Sequence, residues 1–387
     1  MMDVKLYSGV INEVGALTSN YVKQSYLDEI SRGVSGRNIG LPMGFERLSQ
    51  YVCNLQRGRY DLWGGGTGTG KSAIIQMCYM TNPIRYLLQH PELNIRFKVK
   101  YFNMEMPTKN IIAKLHANYI FKKFGHRYSV NKIFSKGVIL TADEQTILKD
   151  SMHFVEKLLQ FVEFYESGDI TPNYVFKVLM DEARNSGEFT TKISVPTQDG
   201  GTEVKEIPES ELFEYKPNHP DSYTVVIFDH LGLIRPNKDD SGIKSAVDRL
   251  SSMLVRFRNS CEFSPVAVSQ FNRSIEGMDR KQQKHPDPQL SDFKDTGNPA
   301  QDCDTAITLF SPERHRLETH RGYFMDDWQG SYRGLSVLKN RDGRDNLDIG
   351  LGFIGSIGEV FELPKVDDLE ANPNVKSMFV NKIKLFQ

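Results

Sequence analysis

Residues 65–72 read Gly65-Gly66-Thr67-Gly68-Thr69-Gly70-Lys71-Ser72 and fit the pattern GxxxxGK[ST] in full. The chemistry of such a run is phosphate binding. Glycines let the backbone turn tightly enough for several N–H groups to converge on one anion, and a helix that follows adds the positive end of its dipole. Lys71 is placed to reach β- and γ-phosphates, and Ser72 to hold Mg²⁺. The context agrees, because 59–63 (Arg-Tyr-Asp-Leu-Trp) read as a strand and 73–80 as a helix. The ligand class is a nucleoside triphosphate, with ATP and Mg²⁺ as the expected pair.

Other side chains could complete a hydrolytic site. Thr224-Val-Val-Ile-Phe-Asp229 is an apolar strand ending in a carboxylate. After a P-loop, that carboxylate supports Mg²⁺, mostly through its water shell. Glu105 follows the apolar run 99–104. It either polarises a water for attack on the γ-phosphate or satisfies the dipole of a helix starting near Thr108. Gln270 ends the run 266–269, where it either contacts the γ-phosphate and attacking water or belongs to a polar loop. Lys339 and Arg341 fall on one face of an extended segment and suit a phosphate or a carboxylate. A solvated hairpin tip accounts for them as well.

The elements that must position these groups alternate from about residue 45 onward. Apolar runs at 61–64, 99–104, 224–228 and 266–269 read as strands buried on both faces. Helical spacing covers 72–80, 108–123, 142–165, 172–184 and 243–258. The pattern predicts an α/β fold, a P-loop NTPase core with a mainly parallel sheet. Strands at 334–339, 347–353 and 360–363 predict an antiparallel C-terminal extension. Residues 187–220 interrupt the alternation, and two alternating runs around Asp199-Gly200-Gly201 read as a β-hairpin insertion decorating the surface. Residues 1–20 carry little pattern. Val22, Tyr26, Leu27, Ile30 and Val34 then mark a short amphipathic helix that ends in Gly33-Val-Ser-Gly36. Its apolar stripe must find cover on its own domain or on a neighbour. The division is thus a tail and linker helix over 1–39 and one large domain over 40–387.

Composition narrows the classes. The 387 residues are 39% hydrophobic and 25% charged, an ordinary globular balance. A net charge of −1 leaves no global pull on nucleic acid or membrane, so such contacts need a local patch. Four scattered cysteines without a CxxC pair argue against a disulfide framework or zinc site and fit a reducing cytoplasm. His315 and His320 lack a ligand motif around them and read as surface residues. There is no signal peptide and no apolar run of transmembrane length, so no membrane partner is expected.

Taken in order, the motifs resemble the RecA-like motor domain of DnaB-type replicative DNA helicases, from about Tyr26 to Leu363. Gly40-Leu-Pro-Met-Gly-Phe45-Glu-Arg-Leu48 looks like the family's entry to its core. Asn103-Met-Glu105-Met resembles Ser-Leu-Glu-Met, which implies that Glu105 is the catalytic glutamate. Phe228-Asp229-His-Leu-Gly-Leu-Ile234 resembles the metal-supporting segment, with His230 where Tyr is usual. Ser269-Gln-Phe-Asn-Arg273-Ser-Ile-Glu276 is close to Ser-Gln-Leu-Asn-Arg-Ser-Leu-Glu, which makes Gln270 the phosphate sensor. The segment from Ser291 to Asp304 resembles the DNA-binding loop, so that Lys294, Asp295 and Gly297 would line a channel and track single-stranded DNA. Lys339-Asn-Arg341-Asp-Gly343 matches Lys-x-Arg-x-Gly, in which the arginine reaches the next subunit's ATP.

The resemblance therefore implies a homo-oligomer, a hexameric ring in which the linker helix docks on the adjacent subunit. It also implies a loader, primase or other replisome proteins as partners, in a bacterial cell or phage-infected host. Only about 40 residues precede the core, so the family's N-terminal collar has no counterpart here. That puts primase coupling in question and suggests a phage or mobile-element relative. The 187–220 insertion and a long 311–328 stretch also depart from the pattern. Two other readings use the same P-loop: a RecA- or KaiC-like DNA-binding ATPase that does not unwind, and a nucleotide-set ring platform for replication partners. Strand displacement separates the first from a helicase, and turnover separates the second.

Overall fold

The computed structural model describes residues 19–166, 168–196, 201–211, 214–272, 275, 287–293 and 297–384. The chain opens with α1 (Ser19–Val34) and α2 (Glu46–Val52), then β1 (Asp61–Gly65), which delivers the P-loop. α3 (Lys71–Gln76) continues through a π-helical turn at Met77–Thr81 into α4 (Asn82–Gln89), so the helix expected over 72–80 is longer and locally underwound. Next come β2 (Arg96–Asn103), α5 (Thr108–Phe124) and α6 (Val130–Ile133).

The single helix expected over 142–165 is three elements: α7 (Ala142–Asp150), α8 (Met152–Phe161) and β3 (Val162–Tyr165). A helical apolar stripe and a short strand both present apolar residues, and periodicity over four residues cannot separate them. β3 is settled instead by pairing in parallel with β2, Val99 opposite Val162.

α9 (Pro172–Ser186) leads into the insertion, which carries β4 (Gly187–Phe189), β5 (Lys192–Pro196), β6 (Thr202–Glu206) and β7 (Tyr215–Pro217). β5 pairs with β6 as the expected hairpin, and β4 with β7 closes its base. The core resumes with β8 (Ser222–Asp229), α10 (Ile243–Cys261), β9 (Ser264–Gln270), α11 (Gly297–Asp302) and β10 (Thr305–Phe310).

β11 (Thr319–His320), β12 (Tyr323–Phe324) and α12 (Met325–Trp328) fill much of the long 311–328 stretch. β13 (Tyr332–Asn340), β14 (Leu347–Ile354), β15 (Glu359–Glu362), α13 (Val366–Ala371) and α14 (Pro373–Lys384) complete the chain.

Nine strands form one sheet in the order β15-β14-β13-β10-β1-β9-β8-β2-β3. β10 through β3 run parallel, and β13, β14 and β15 are antiparallel, as expected. Successive side chains of a strand face opposite sides. Trp63, Tyr101 and Ile227 therefore enter the core under α3, α5 and α8, while Leu62, Phe102 and Phe228 enter the one under α9 and α10. Burial on both faces is why these strands read as continuous apolar runs.

A satellite core explains the 311–328 stretch, because Tyr323, Met325 and Trp328 pack on Leu369 and Ile383 of the terminal helices. His320 is not the surface residue its sequence context suggests. It is 5% exposed, with Nε2 2.8 Å from Asp287 and Nδ1 2.9 Å from the Tyr332 hydroxyl. Among the described residues no His, Cys, Asp and Glu cluster could hold a metal by itself, and no helix is long and apolar enough to cross a membrane.

Candidate nucleotide site

Parallel strands bring their C-terminal ends to one edge, and the P-loop leaves β1 at that edge. Gly68 and Gly70 have φ of +69° and +98°, a region that disfavours side chains. A Cβ on Gly68 would also meet the Arg314 guanidinium at 2.6 Å. Lys71 is turned back into its own loop, donating to the carbonyls of Gly65 at 2.7 Å and Gly66 at 2.8 Å. The Thr69 hydroxyl donates to Gly66 at 2.9 Å.

β2, β8 and β9 deliver the rest. Lys71, Ser72, Glu105, Asp229 and Gln270 line one cleft, with Phe353 across from them. Asp229 is 6% exposed; its Oδ2 accepts from the Tyr101 hydroxyl at 2.9 Å, and Gln76 donates to that hydroxyl at 3.2 Å. Its Oδ1 is buried and has no hydrogen-bond partner among the described residues. An orphaned carboxylate oxygen beside a P-loop serine fits a divalent cation or its water shell. The Gln270 amide lies 3.1 Å from His230 Nε2, so the histidine found where the resemblance has tyrosine sits against the residue expected to sense phosphate.

Burial pushes the Lys71 ammonium down to about 8, against the pull of Asp229 and Glu105 and with help from the Arg314 charge. A triphosphate favours the charged form. Below that value the free protein already carries the proton; above it, binding must take one up. Nucleotide affinity is therefore expected to fall as pH rises through about 8, by up to about tenfold per pH unit. Titration calorimetry in buffers of different ionisation enthalpy should show proton uptake on the alkaline side. Affinity that is flat across that range, with no proton taken up, contradicts the depressed Lys71.

The other expected residues fall elsewhere. β13 is antiparallel to β10, with Gly334 opposite Phe310 and Asn340 opposite Thr305. Lys339 and Arg341 therefore sit at the N-terminal edge of the parallel strands, opposite the P-loop of their own chain. Arg333, at the near end of β13, donates to the Thr69 carbonyl at 3.0 Å. Arg341 is eight residues further along, about 26 Å at strand spacing. Gly297 opens α11, while Lys294 and Asp295 lie outside the described residues.

Sequence reading missed three contributors. Arg314 donates to the Thr67 carbonyl and Arg333 to Thr69, so two arginines brace the P-loop from behind. The Phe353 ring would be 3.1 Å from a Cβ at Gly70 and has the Arg333 guanidinium 5.1 Å from its centre. None of the three belongs to a local motif: Arg314 comes from the turn after β10, and Arg333 and Phe353 from the antiparallel strands β13 and β14.

Comparison with known proteins finds relatives in sequence and in fold. Residues 182–360 match the model of the DnaB-like helicase C terminal domain. That segment includes Asp229, Gln270, Lys339 and Arg341 but not the P-loop. The replicative DNA helicase DnaB of Helicobacter pylori (strain J99) is 22% identical over 301 residues, 78% of this chain and 49% of that protein. The chain resembles the DnaB-type replicative helicases. DnaB of Mycobacterium leprae is 30% identical over 119 residues, 31% of this chain and 18% of that protein. The chain spans about half the length of the first of these DnaB relatives.

Two solved structures share the fold. The ATPase domain of G40P superimposes with a TM-score of 0.64 at 17% identity, covering 90% of this chain and 99% of that one. A DnaB-like replicative helicase, described with its interactions with primase, gives 0.61 at 18% identity, covering 90% of this chain and 67% of that one.

Proposed function

We propose that this chain is the motor of an ATP-driven, ring-forming DNA helicase that translocates on single-stranded DNA and unwinds duplex. The observation that carries the reading is the position of Lys339 and Arg341. A cation pair at the sheet edge opposite its own P-loop can serve a triphosphate only on another chain. The site is then shared between neighbours. Lys71 and Ser72 grip phosphate and Mg²⁺, Asp229 supports the metal, Glu105 orients water, Gln270 senses the γ-phosphate, and the neighbour's Arg341 and Lys339 neutralise developing charge. Lys294, Asp295 and Gly297 would follow the strand's phosphates in the channel.

A hexameric ring also gives α1 a place. Tyr26 is 67% exposed, and Val22, Leu27 and Ile30 are 45–49% exposed, so the described residues of its own domain leave the stripe largely uncovered. A groove floored by Ile84, Leu115, Tyr119, Phe154 and Leu158 is rimmed by Arg85, Lys122, Lys123 and Lys157. Asp28 and Glu29 flank the stripe and match that rim, which suits a helix-in-groove contact between subunits. Primase, a loader and other replisome proteins are further candidate partners. The DnaB-like structure described with primase is the precedent for the first.

The test is ATP hydrolysis with and without single-stranded DNA across protein concentration. Turnover per chain should rise as chains assemble, and DNA should stimulate it. Turnover that is indifferent to both moves the reading to an ATPase that does not unwind.

A further inference from the structure

The finger residues are not idle in this chain. Lys339 Nζ donates to the carbonyls of Ala300 at 2.9 Å and Gln301 at 2.7 Å, the last turn of α11. Arg341 donates to the Gln301 carbonyl at 2.8 Å and to Asp304 Oδ1 at 3.0 Å, and its backbone N–H donates to the Asp304 carbonyl at 2.9 Å. Cations at the carbonyl end of a helix are electrostatically favoured.

Asp304 is 9% exposed and ties three segments together. It accepts from Arg258 of α10 at 2.8 and 3.0 Å, from the Tyr60 N–H just before β1 at 2.9 Å, and from Arg341. At its other end, α11 opens at Gly297, one of the residues assigned to the DNA contact. A single six-residue helix thus has the strand-contacting region at its start and the finger at its end.

The geometry points to Asp304 as the positioning residue that couples DNA to the finger. It holds Arg341 against the carbonyl end of α11, so that a shift of α11 on DNA contact changes how Arg341 and Lys339 present themselves to the neighbour's triphosphate. This rests on the reading of Arg341 as a finger acting between subunits.

The test compares Asp304→Asn with Arg258→Gln in the assembled full chain, using an oligothymidylate strand. Asn keeps an acceptor for the Tyr60 N–H but loses the charge that holds Arg341. The expected result is a DNA-stimulated kcat about tenfold lower with the KM for ATP unchanged. Arg258→Gln removes the other guanidinium and should lower the melting temperature while leaving the stimulation factor intact. Wild-type stimulation in Asp304→Asn, or equal loss in both variants, overturns the coupling role.

A second measurement needs no variant. In the wild-type ring, DNA should change amide exchange in both 297–302 and 338–342; a change in the first without the second also overturns it. If instead the wild type shows no DNA stimulation, or Arg341→Ala hydrolyses normally, the finger reading itself fails and the coupling fails with it.

Discussion

Arg341→Ala is expected to lower ATP turnover by about a thousandfold or more, the scale of an arginine finger, while leaving nucleotide affinity within about threefold. The asymmetry follows from position. Arg341 is 44% exposed and sits at the edge of the sheet away from its own cleft, so its loss leaves Lys71, Ser72 and Asp229 untouched. On the proposed reading, what disappears is the charge that another chain needs as its γ-phosphate leaves. Binding is read with a fluorescent ATP analogue and turnover by phosphate release. Wild-type hydrolysis in the variant would sink the assignment, and a parallel loss of binding would mean that Arg341 acts by holding its own fold.

Lys71→Ala should remove turnover for a different reason. The buried ammonium is the loop's own cation, and alanine removes its bonds to the carbonyls of Gly65 and Gly66, the latter keeping the Thr69 hydroxyl. A loss of about 10²–10³ in kcat is expected from one electrostatic contact, with binding weakened as well. The two variants together test the shared site. On the shared-site reading, each interface needs Lys71 from one chain and Arg341 from the next. Equal mixing of the two dead variants should therefore regenerate about a quarter of the interfaces, if chains exchange at random in a head-to-tail ring. Recovered hydrolysis in the mixture is hard to explain with sites confined to one chain. No recovery, with exchange verified by labelled subunits, would confine the site to a single chain.

The parts legible in the sequence were those whose signal is local. The P-loop, the apolar strand ending at Asp229 and the run before Glu105 each announce themselves within ten residues or so, and the cleft gathers all of them. β3 was hidden because a four-residue run, Val162-Glu-Phe-Tyr165, fits a helix stripe as readily as a strand. His320 looked exposed because its partners, Asp287 and Tyr332, come from a separate loop and a separate strand. Phe353 was unreadable for the same reason: nothing in its neighbourhood says that β14 returns to the P-loop. The hairpin insertion was visible from alternation around a turn, but alternation does not say what a hairpin is for.

β13 has a further consequence. Its first residues fasten to their own P-loop through Arg333, and Arg341 stands just beyond its last. If Arg341 serves the next chain, one stiff strand joins two nucleotides. The strand has a direction, and in a ring every copy points the same way around. News of an occupied or empty cleft would then have a preferred sense of travel, clockwise or anticlockwise, set by chain polarity before any fuel is consumed.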